Sequence, residues 1–137
     1  VLGATAYACI PLTHRELAQS AILISGSGAE DKDANDWQAL AKTEQTLVIY
    51  MGSLKAATIQ KQLIANGRKA NTPIAIISRG TTEQQEVVTG SLAELSQLAL
   101  AAPRPSLIVI GEVVSLHQEL AWNNQHAITV TEAALRA

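Results

Sequence analysis

The residues best placed to do chemistry follow two short apolar runs that both lead into a glycine. Thr46–Tyr50 continues into Met51-Gly52, and Pro73–Ile77 continues into Ser78-Arg79-Gly80-Thr81. Both runs are too short for an ordinary helix and suit strands that are buried on both faces. Ligands of open α/β sheets bind beyond the carboxyl ends of the strands. The sequence therefore indicates these two strand ends as the first place to search for a ligand site.

Two features near these ends allow more than one interpretation. Met51 is the only methionine of the chain; a methionine here either fills a gap in the core, which its type alone favours, or lines a ligand site. Gly26-Ser27-Gly28 follows another apolar run, but no GxGxxG or P-loop pattern is present. A flexible exit from the sheet is therefore favoured over a phosphate cradle.

A second candidate group is Thr13-His14-Arg15. Thr13 with Glu16 three positions later forms the pattern of a capping box, which predicts that a helix begins here with Thr13 as its N-cap. Arg15 can hold a carboxylate through its two-pronged guanidinium, although spacing alone favours a solvated surface charge. His117 and His126 are predicted to be surface residues.

The elements that must position these residues can be located from their periodicity. We predict the helix Leu54–Asn66, with Ser53 as its N-cap and Gly67 as its C-terminal stop. Shorter helices are predicted to begin at Asp36 and after the capping box Ser91–Glu94. Five strands are predicted, at Ala21–Ser25, Thr46–Tyr50, Pro73–Ile77, Glu86–Gly90 and Ser106–Ile110, with the fourth pairing with the third. The expected fold is α/β, a mixed sheet of about five strands flanked by helices.

Composition excludes several classes of function. The 137 residues suit one domain, and the net charge of -2 argues against a broad basic face for nucleic acid. No apolar run reaches the ~18 residues that a membrane span needs. A single cysteine, Cys9, and three scattered His exclude an internal disulfide and a dense metal cluster, and favour the cytoplasm. The apolar start from Val1 to Cys9 has no basic region and is predicted to be the tail of a helix, as in a piece of a longer protein.

Four blocks in one order carry a family resemblance. They are Tyr7-Ala8-Cys9-Ile10-Pro11-Leu12-Thr13-His14-Arg15, Thr46-Leu47-Val48-Ile49-Tyr50-Met51-Gly52, Thr72-Pro73-Ile74-Ala75-Ile76-Ile77-Ser78-Arg79-Gly80-Thr81 with Gln85, and Pro105-Ser106-Leu107-Ile108-Val109-Ile110-Gly111-Glu112-Val113-Val114. From about Tyr7 to Trp122 the chain resembles the C-terminal domain of the tetrapyrrole methylase family, and the Pro11–Arg15 block favours the branch that acts on uroporphyrinogen III.

The resemblance implies an S-adenosylmethionine-dependent C-methyltransferase that converts uroporphyrinogen III to precorrin-2, on the way to sirohaem and cobalamin. It implies a homodimer of two-domain subunits that hold the donor in the cleft between the domains, with no metal. It also implies that Met51 and Gly80 contact the donor, with Ala75 and Thr81 nearby. Thr13, His14 and Arg15 would lie on the substrate side, where the eight carboxylates of uroporphyrinogen III suit an arginine.

Departures from the family limit these expectations. Cys9 stands where the family usually has Gly, Ser27 where many members have His, and Glu86 where Arg is usual. The N-terminal domain, with its Gly-rich donor loop and its acid–base residues, has no counterpart in this sequence. We therefore expect residues 1–137 to be inactive alone. The alternatives are another methylase of the family, acting in the cobalamin pathway or on a translation-factor histidine, and a non-catalytic dimerisation domain.

Overall fold

One six-stranded sheet forms the centre of the computed structural model, which describes residues 10–26, 35–117 and 127–128. The strands are β1 (Ala21–Ser25), β2 (Thr46–Tyr50), β3 (Pro73–Ser78), β4 (Glu86–Ser91), β5 (Ser106–Ile110) and β6 (Ala127–Ile128). The first five lie where the sequence predicts them, and the two-residue β6 is an addition. The predicted helix over Val1–Cys9, together with Ser27, Trp122 and His126, lies outside the described residues.

The strands are ordered β1-β2-β5-β3-β4-β6. β1 is parallel to β2, and β5 is antiparallel to both β2 and β3, so β2 and β3 run in one direction with β5 between them. β4 pairs antiparallel with β3, as predicted. The continuous apolar run of β5 suits this central place, where both edges are paired and both faces are covered. The predicted mixed sheet flanked by helices is confirmed.

Three short helices cover one face of the sheet. They are α1 (Trp37–Lys42), α2 (Ala56–Ala65) and α3 (Leu95–Ala101), and 3₁₀ turns at Ser53–Lys55 and Leu92–Glu94 lead into the last two. Their apolar sides pack on isoleucines of the central strands: Ile49, Ile74, Ile76 and Ile108. None of the helices in the described part of the chain is long and apolar enough to cross a membrane.

The predicted ends of these helices are mostly confirmed. The Asp36 carboxylate accepts the N–H of Ala39 at 3.1 Å and begins α1. Gly67 adopts a φ of 109° after α2, and the Ser91–Glu94 capping box is present. Ser53, however, is not an N-cap: it is the first residue of its 3₁₀ turn, and its hydroxyl is hydrogen-bonded to the hydroxyl of Ser106.

The opposite face of the sheet is covered by irregular chain. Ile10 and Ala18 from the segment before β1, and Val113 and Val114 from the 3₁₀ turn Glu112–Leu116, pack on Val48, Ala75 and Val109. His117 follows that turn and is 6 % exposed, so the prediction of a surface histidine is wrong. It is carried inward because the buried valines of the turn dock it against the sheet.

The helix predicted to begin at Thr13 is absent. The N–H groups of Leu17 and Ala18 donate to the carbonyl of His14, which closes a tight turn directly before β1. The N–H of Glu16 donates to His14 Nδ1 at 3.2 Å instead of to a Thr13 cap. Few residues separate this turn from Ala21, and so short a segment cannot offset the cost of helix nucleation.

Candidate functional site

The carboxyl ends of β1, β2 and β3 meet at one edge of the sheet, where β4 and β5 begin. This carboxyl edge consists of Gly26, Met51–Ser53, Arg79–Thr81, Gln85 and Pro105–Ser106. Backbone bonds join its loops: the N–H of Gly26 donates to the Tyr50 carbonyl at 2.8 Å, and the N–H of Arg79 donates to the Pro105 carbonyl at 2.9 Å. The edge is therefore a connected surface rather than a set of separate loops.

Unusual backbone conformations are concentrated at this edge. Met51, Arg79 and Thr81 have φ values of 56°, 51° and 66°, and they are the non-glycine residues with positive φ within the described ranges. Side-chain crowding makes this region unfavourable, most of all for a β-branched residue such as Thr81. Strained conformations of this kind persist where the surroundings hold them, and they cluster at binding and catalytic sites.

The glycines of the edge allow strand ends to come close together. Gly52 has a φ of -97°, and the positive φ at this turn belongs to Met51. Gly52 instead lies against Gly26: a Cβ on Gly26 would approach Gly52 Cα to 2.5 Å. The two glycines therefore allow the ends of β1 and β2 to touch, which sets the position of Met51.

The loop from Arg79 to Gln85 is tied down by its own hydrogen bonds. The carbonyl of Arg79 accepts the Thr82 hydroxyl at 2.7 Å and the Thr82 N–H at 3.3 Å. Gln85 Oε1 accepts the N–H of Thr81 at 2.8 Å from a buried position. The backbone on both sides of Gly80 is thus fixed before any ligand arrives.

The structure places at the carboxyl edge three of the four residues that the resemblance assigns to the donor site. The Met51 side chain is 59 % exposed, so it does not fill a core gap. Gly80 is half-buried and Thr81 is exposed on the neighbouring loop. Ala75 is fully buried in the middle of β3, between Thr89 and Val109, so it supports the edge from below rather than reaching its surface.

The other predicted group lies at the opposite end of the strands. Arg15 is exposed in the turn before β1 and lines an open cavity of about 360 Å³ with Gln19, Ser20 and Gln45, next to the first residues of β1 and β2. Strands of five residues span roughly 15 Å. Thr13, His14 and Arg15 are therefore separated from Met51 by the length of the sheet.

A second cavity at that end, of about 490 Å³, is lined by side chains of both positive and negative charge. Arg68 lines it with Lys42, Lys69, Glu44 and Glu112. Arg68 Nη1 donates to the carbonyls of Leu40 and Thr43 at 3.3 and 2.8 Å, so it caps the C-terminus of α1. Burial lowers the pKa of Arg68, and the charge of Glu112 partly opposes this. These bonds give the arginine a structural role that the sequence did not reveal.

Within the described ranges, no group of three His, Cys, Asp or Glu side chains is arranged to hold a metal ion. The residues that the edge offers to a ligand are instead an exposed thioether and fixed backbone peptides. Such groups bind through apolar contact and directed hydrogen bonds.

Comparison with known proteins agrees with the resemblance of the sequence. The sequence model of the family described as Tetrapyrrole (Corrin/Porphyrin) Methylases matches residues 1–96. The chain belongs to the tetrapyrrole methylase family. The sequence blocks around Met51 and Gly80 lie within the matched range.

Among relatives of this methylase domain, "Siroheme synthase 1" of Cronobacter sakazakii is 61 % identical over 120 residues, which cover 88 % of this chain and 26 % of the relative. "Siroheme synthase" of Sodalis glossinidius is 58 % identical over 132 residues, which cover 96 % and 28 %. The chain thus spans about a quarter of the length of the curated relatives that it matches.

Solved structures of other methylases share the fold. A uroporphyrin-III C-methyltransferase of Thermus thermophilus, complexed with S-adenosylhomocysteine, is 31 % identical with a TM-score of 0.70 over 78 % of this chain and 48 % of that one. A cobalt precorrin-4 methyltransferase, 22 % identical, reaches a TM-score of 0.73 over 82 % and 48 %. The second likeness shows the fold of the methylase domain alone.

Strain at Thr81 can be measured through stability. We expect Thr81→Asn to raise the free energy of unfolding by about 1 kcal/mol, because asparagine tolerates positive φ far better than a β-branched residue does. Thr81→Val, which keeps the branch, should bring no gain. Urea unfolding of both variants measures the difference. Equal stability of the two would contradict a left-handed Thr81.

Proposed function

We propose that this chain is the C-terminal domain of an S-adenosylmethionine-dependent C-methyltransferase that converts uroporphyrinogen III to precorrin-2, a step towards sirohaem and cobalamin. The observation that carries the proposal is the carboxyl edge, where an exposed Met51 and a fixed Gly80 loop lie on either side of the start of β5, both with strained backbone positions. Family membership supports a methyltransferase, and the Thermus thermophilus relative that is complexed with S-adenosylhomocysteine supports the ligand.

The residues of the edge suit a nucleoside ligand of this kind. The thioether of Met51 packs against the adenosine, since soft sulfur makes favourable contacts with aromatic rings. The backbone at Gly80 and Thr81 supplies hydrogen bonds, and Ala75 supports it from within the core. The bound donor supplies an activated methyl group on its sulfonium, so the reaction needs no metal. This chain's residues bind and orient that donor.

The substrate side of the proposal rests on charge. Uroporphyrinogen III carries eight carboxylates, and the exposed Arg15 can hold one of them through paired hydrogen bonds. His14, which follows Thr13, shapes the turn that presents Arg15, since its carbonyl accepts the N–H groups of Leu17 and Ala18. Because this turn lies at the far end of β1 from Met51, its proposed role is to hold a peripheral carboxylate rather than the carbon that is methylated.

The proposed protein includes a second, N-terminal domain. The chain covers about a quarter of the length of its relatives, which leaves room for a domain that carries the Gly-rich donor loop and the acid–base residues. On this proposal residues 1–137 contribute half of the donor site, are inactive alone and act within a homodimer. A cytoplasmic location stays a prediction that rests on the single cysteine.

Calorimetric titration with S-adenosylhomocysteine tests the half-site. We expect no measurable binding by residues 1–137 and clear binding when they are joined to an N-terminal domain of the family. In the joined protein Met51→Ala should weaken binding about tenfold, because an apolar contact of roughly one side chain is lost. Leu54→Ala is the matched control, since Leu54 is exposed nearby but lies outside the edge. Absence of binding by the joined protein would contradict the proposal.

A dimerisation domain without catalytic function is the second candidate. Leu23 is 55 % exposed on the face of the sheet that also carries the partly exposed Tyr50, because Leu23 pairs with Val48 and Tyr50 with Leu107. Exposed apolar surface of this kind supports self-association. Light scattering combined with titration of S-adenosylhomocysteine separates the two candidates: an interface domain forms a dimer in both the isolated and the joined form and shows no affinity for S-adenosylhomocysteine in either.

A further inference from the structure

Thr81 occupies a conformation that its own side chain opposes. It is β-branched, exposed, and has a φ of 66°, and it is separated from the left-handed Arg79 only by Gly80. A residue in this region relaxes unless a neighbour holds it. A neighbouring group must therefore hold Thr81 in place.

Gln85 is placed to do so. Its side chain is 2 % exposed, and its Oε1 accepts the N–H of Thr81 at 2.8 Å. Its own N–H donates to the Thr82 carbonyl at 3.1 Å. The next residue, Glu86, pairs with Ser78 at the start of the β3–β4 ladder. Gln85 is therefore anchored by the sheet and holds the loop at two peptides, Gly80–Thr81 through its side chain and Thr82–Glu83 through its backbone N–H.

This bond also fixes the direction of a neighbouring carbonyl. The Gly80 carbonyl and the Thr81 N–H belong to one peptide, and in a planar trans peptide they point in opposite directions. Because the N–H points at the buried Gln85, the Gly80 carbonyl is directed away from the interior. Gly80 itself is half-buried at the edge, so an outward-directed carbonyl at this position can be reached by a ligand.

We propose that Gln85 is a positioning residue for methyl-donor binding: it holds the Gly80–Thr81 peptide so that the Gly80 carbonyl accepts a hydrogen bond from an amino group of the donor. This inference rests on the proposed function. An acceptor oxygen on residue 85 is the required group. Without it the Thr81 N–H loses its buried partner, Thr81 leaves the left-handed region, and the carbonyl of Gly80 turns away from the ligand.

The structural part of the inference is tested on the ¹⁵N-labelled chain by amide hydrogen exchange. We expect the Thr81 amide to exchange slowly in the native sequence and at least about tenfold faster in Gln85→Leu, where no oxygen accepts it. Gln85→Glu keeps an acceptor and should retain the protection. Gln84→Leu is the control, since Gln84 is an exposed neighbour whose Oε1 accepts only the Arg79 guanidinium among the bonds described. Equal exchange in Gln85→Leu and the native chain would overturn the inference.

The ligand part is tested on the same variants in the joined protein, by titration with S-adenosylhomocysteine and by steady-state kinetics. Gln85→Leu should weaken binding about tenfold and raise the KM for the donor, with the KM for the tetrapyrrole unchanged. Gln85→Glu and Gln84→Leu should stay within about threefold of the native affinity. A general loss of structure would change the KM for the donor and the KM for the tetrapyrrole, whereas loss of positioning changes only the KM for the donor.

The outcomes separate this inference from the proposed function. If Thr81 loses protection in Gln85→Leu but the affinity for S-adenosylhomocysteine is unchanged, positioning by Gln85 is wrong and the proposed function stands. If the native joined protein does not bind S-adenosylhomocysteine, both are wrong. Should Gln85→Leu not fold, Gln85→Asn replaces it: the shorter side chain withdraws the oxygen from Thr81 while remaining polar, and the same results are expected.

Discussion

Gly26→Ala is expected to be the most damaging addition of a single methyl group at the carboxyl edge, with a loss of about 3 kcal/mol in the free energy of unfolding. The new Cβ would lie 2.5 Å from Gly52 Cα, 2.8 Å from Gly52 N and 2.9 Å from the Met51 carbonyl oxygen. All three are backbone atoms, so relief requires the ends of β1 and β2 to separate. Urea unfolding measures the loss, and binding of S-adenosylhomocysteine by the joined protein should weaken with it.

Two other glycines serve as controls. In Gly52→Ala the nearest atoms are side-chain carbons of Ile49, Ile59 and Ile108, at 2.8 to 3.3 Å, so repacking lowers the expected loss to about 2 kcal/mol. In Gly67→Ala the Cβ meets nothing within 4 Å, and only the φ of 109° opposes it, at about 1 kcal/mol. This last variant should leave donor binding unchanged. A loss in Gly26→Ala no larger than in Gly67→Ala would contradict the close contact of β1 with β2.

The second large effect is expected for Ile108→Ala, at about 3 to 4 kcal/mol. Ile108 is fully buried and lies between Ile49 and Ile76 in a row that crosses three strands. Truncation leaves a cavity under α2 and α3 that the paired strands on both sides cannot close. The loss is a large fraction of the ~5–15 kcal/mol by which domains of this size are stable.

Conservative and exposed substitutions set the scale for this result. Ile108→Val should lose about 1 kcal/mol, and Leu100→Ala, at a side chain that is 80 % exposed, less than about 0.5 kcal/mol. Chemical unfolding of the three variants compares them directly. An edge strand can relax around a missing side chain, so a loss near 1 kcal/mol for Ile108→Ala would show that β5 is not central.

The strands and most helices could be predicted because their signals are local. The alternation of apolar runs with turn residues locates β1 to β5, and Asp36, Gly67 and the Ser91–Glu94 box mark ends that depend on neighbours three or four residues away. The prediction of a helix at Thr13 was wrong because it, too, used only a local signal. A capping pattern specifies how a helix begins but supplies no apolar face to stabilise it, and here β1 follows too soon.

The features that the sequence could not predict depend on residues far away along the chain. No local pattern in Ser106–Ile110 indicates that this strand pairs with both β2 and β3, and none near His117 indicates that its turn packs on the sheet. The strained positions were hidden as well. Glycine indicates where positive φ is easy, yet Met51, Arg79 and Thr81 adopt it beside Gly52 and Gly80. The resemblance pointed to these loops, while their geometry comes from long-range contacts such as that between Gly26 and Gly52.

The place of β5 has a consequence for how the chain acquires its structure during synthesis. Leu47 pairs with Ile110 and Tyr50 with Leu107, so β2 and β3 leave the ribosome long before the strand that joins them. The β3–β4 hairpin can form at once, since its partners are near in sequence, but the sheet remains in two halves with unpaired edges until residue 110 has emerged. Pairings between distant residues form slowly, and open edges recruit other chains in the meantime. The interval between translation of β4 and of β5 is therefore a period in which unpaired strand edges of the nascent chain are open to association with other chains.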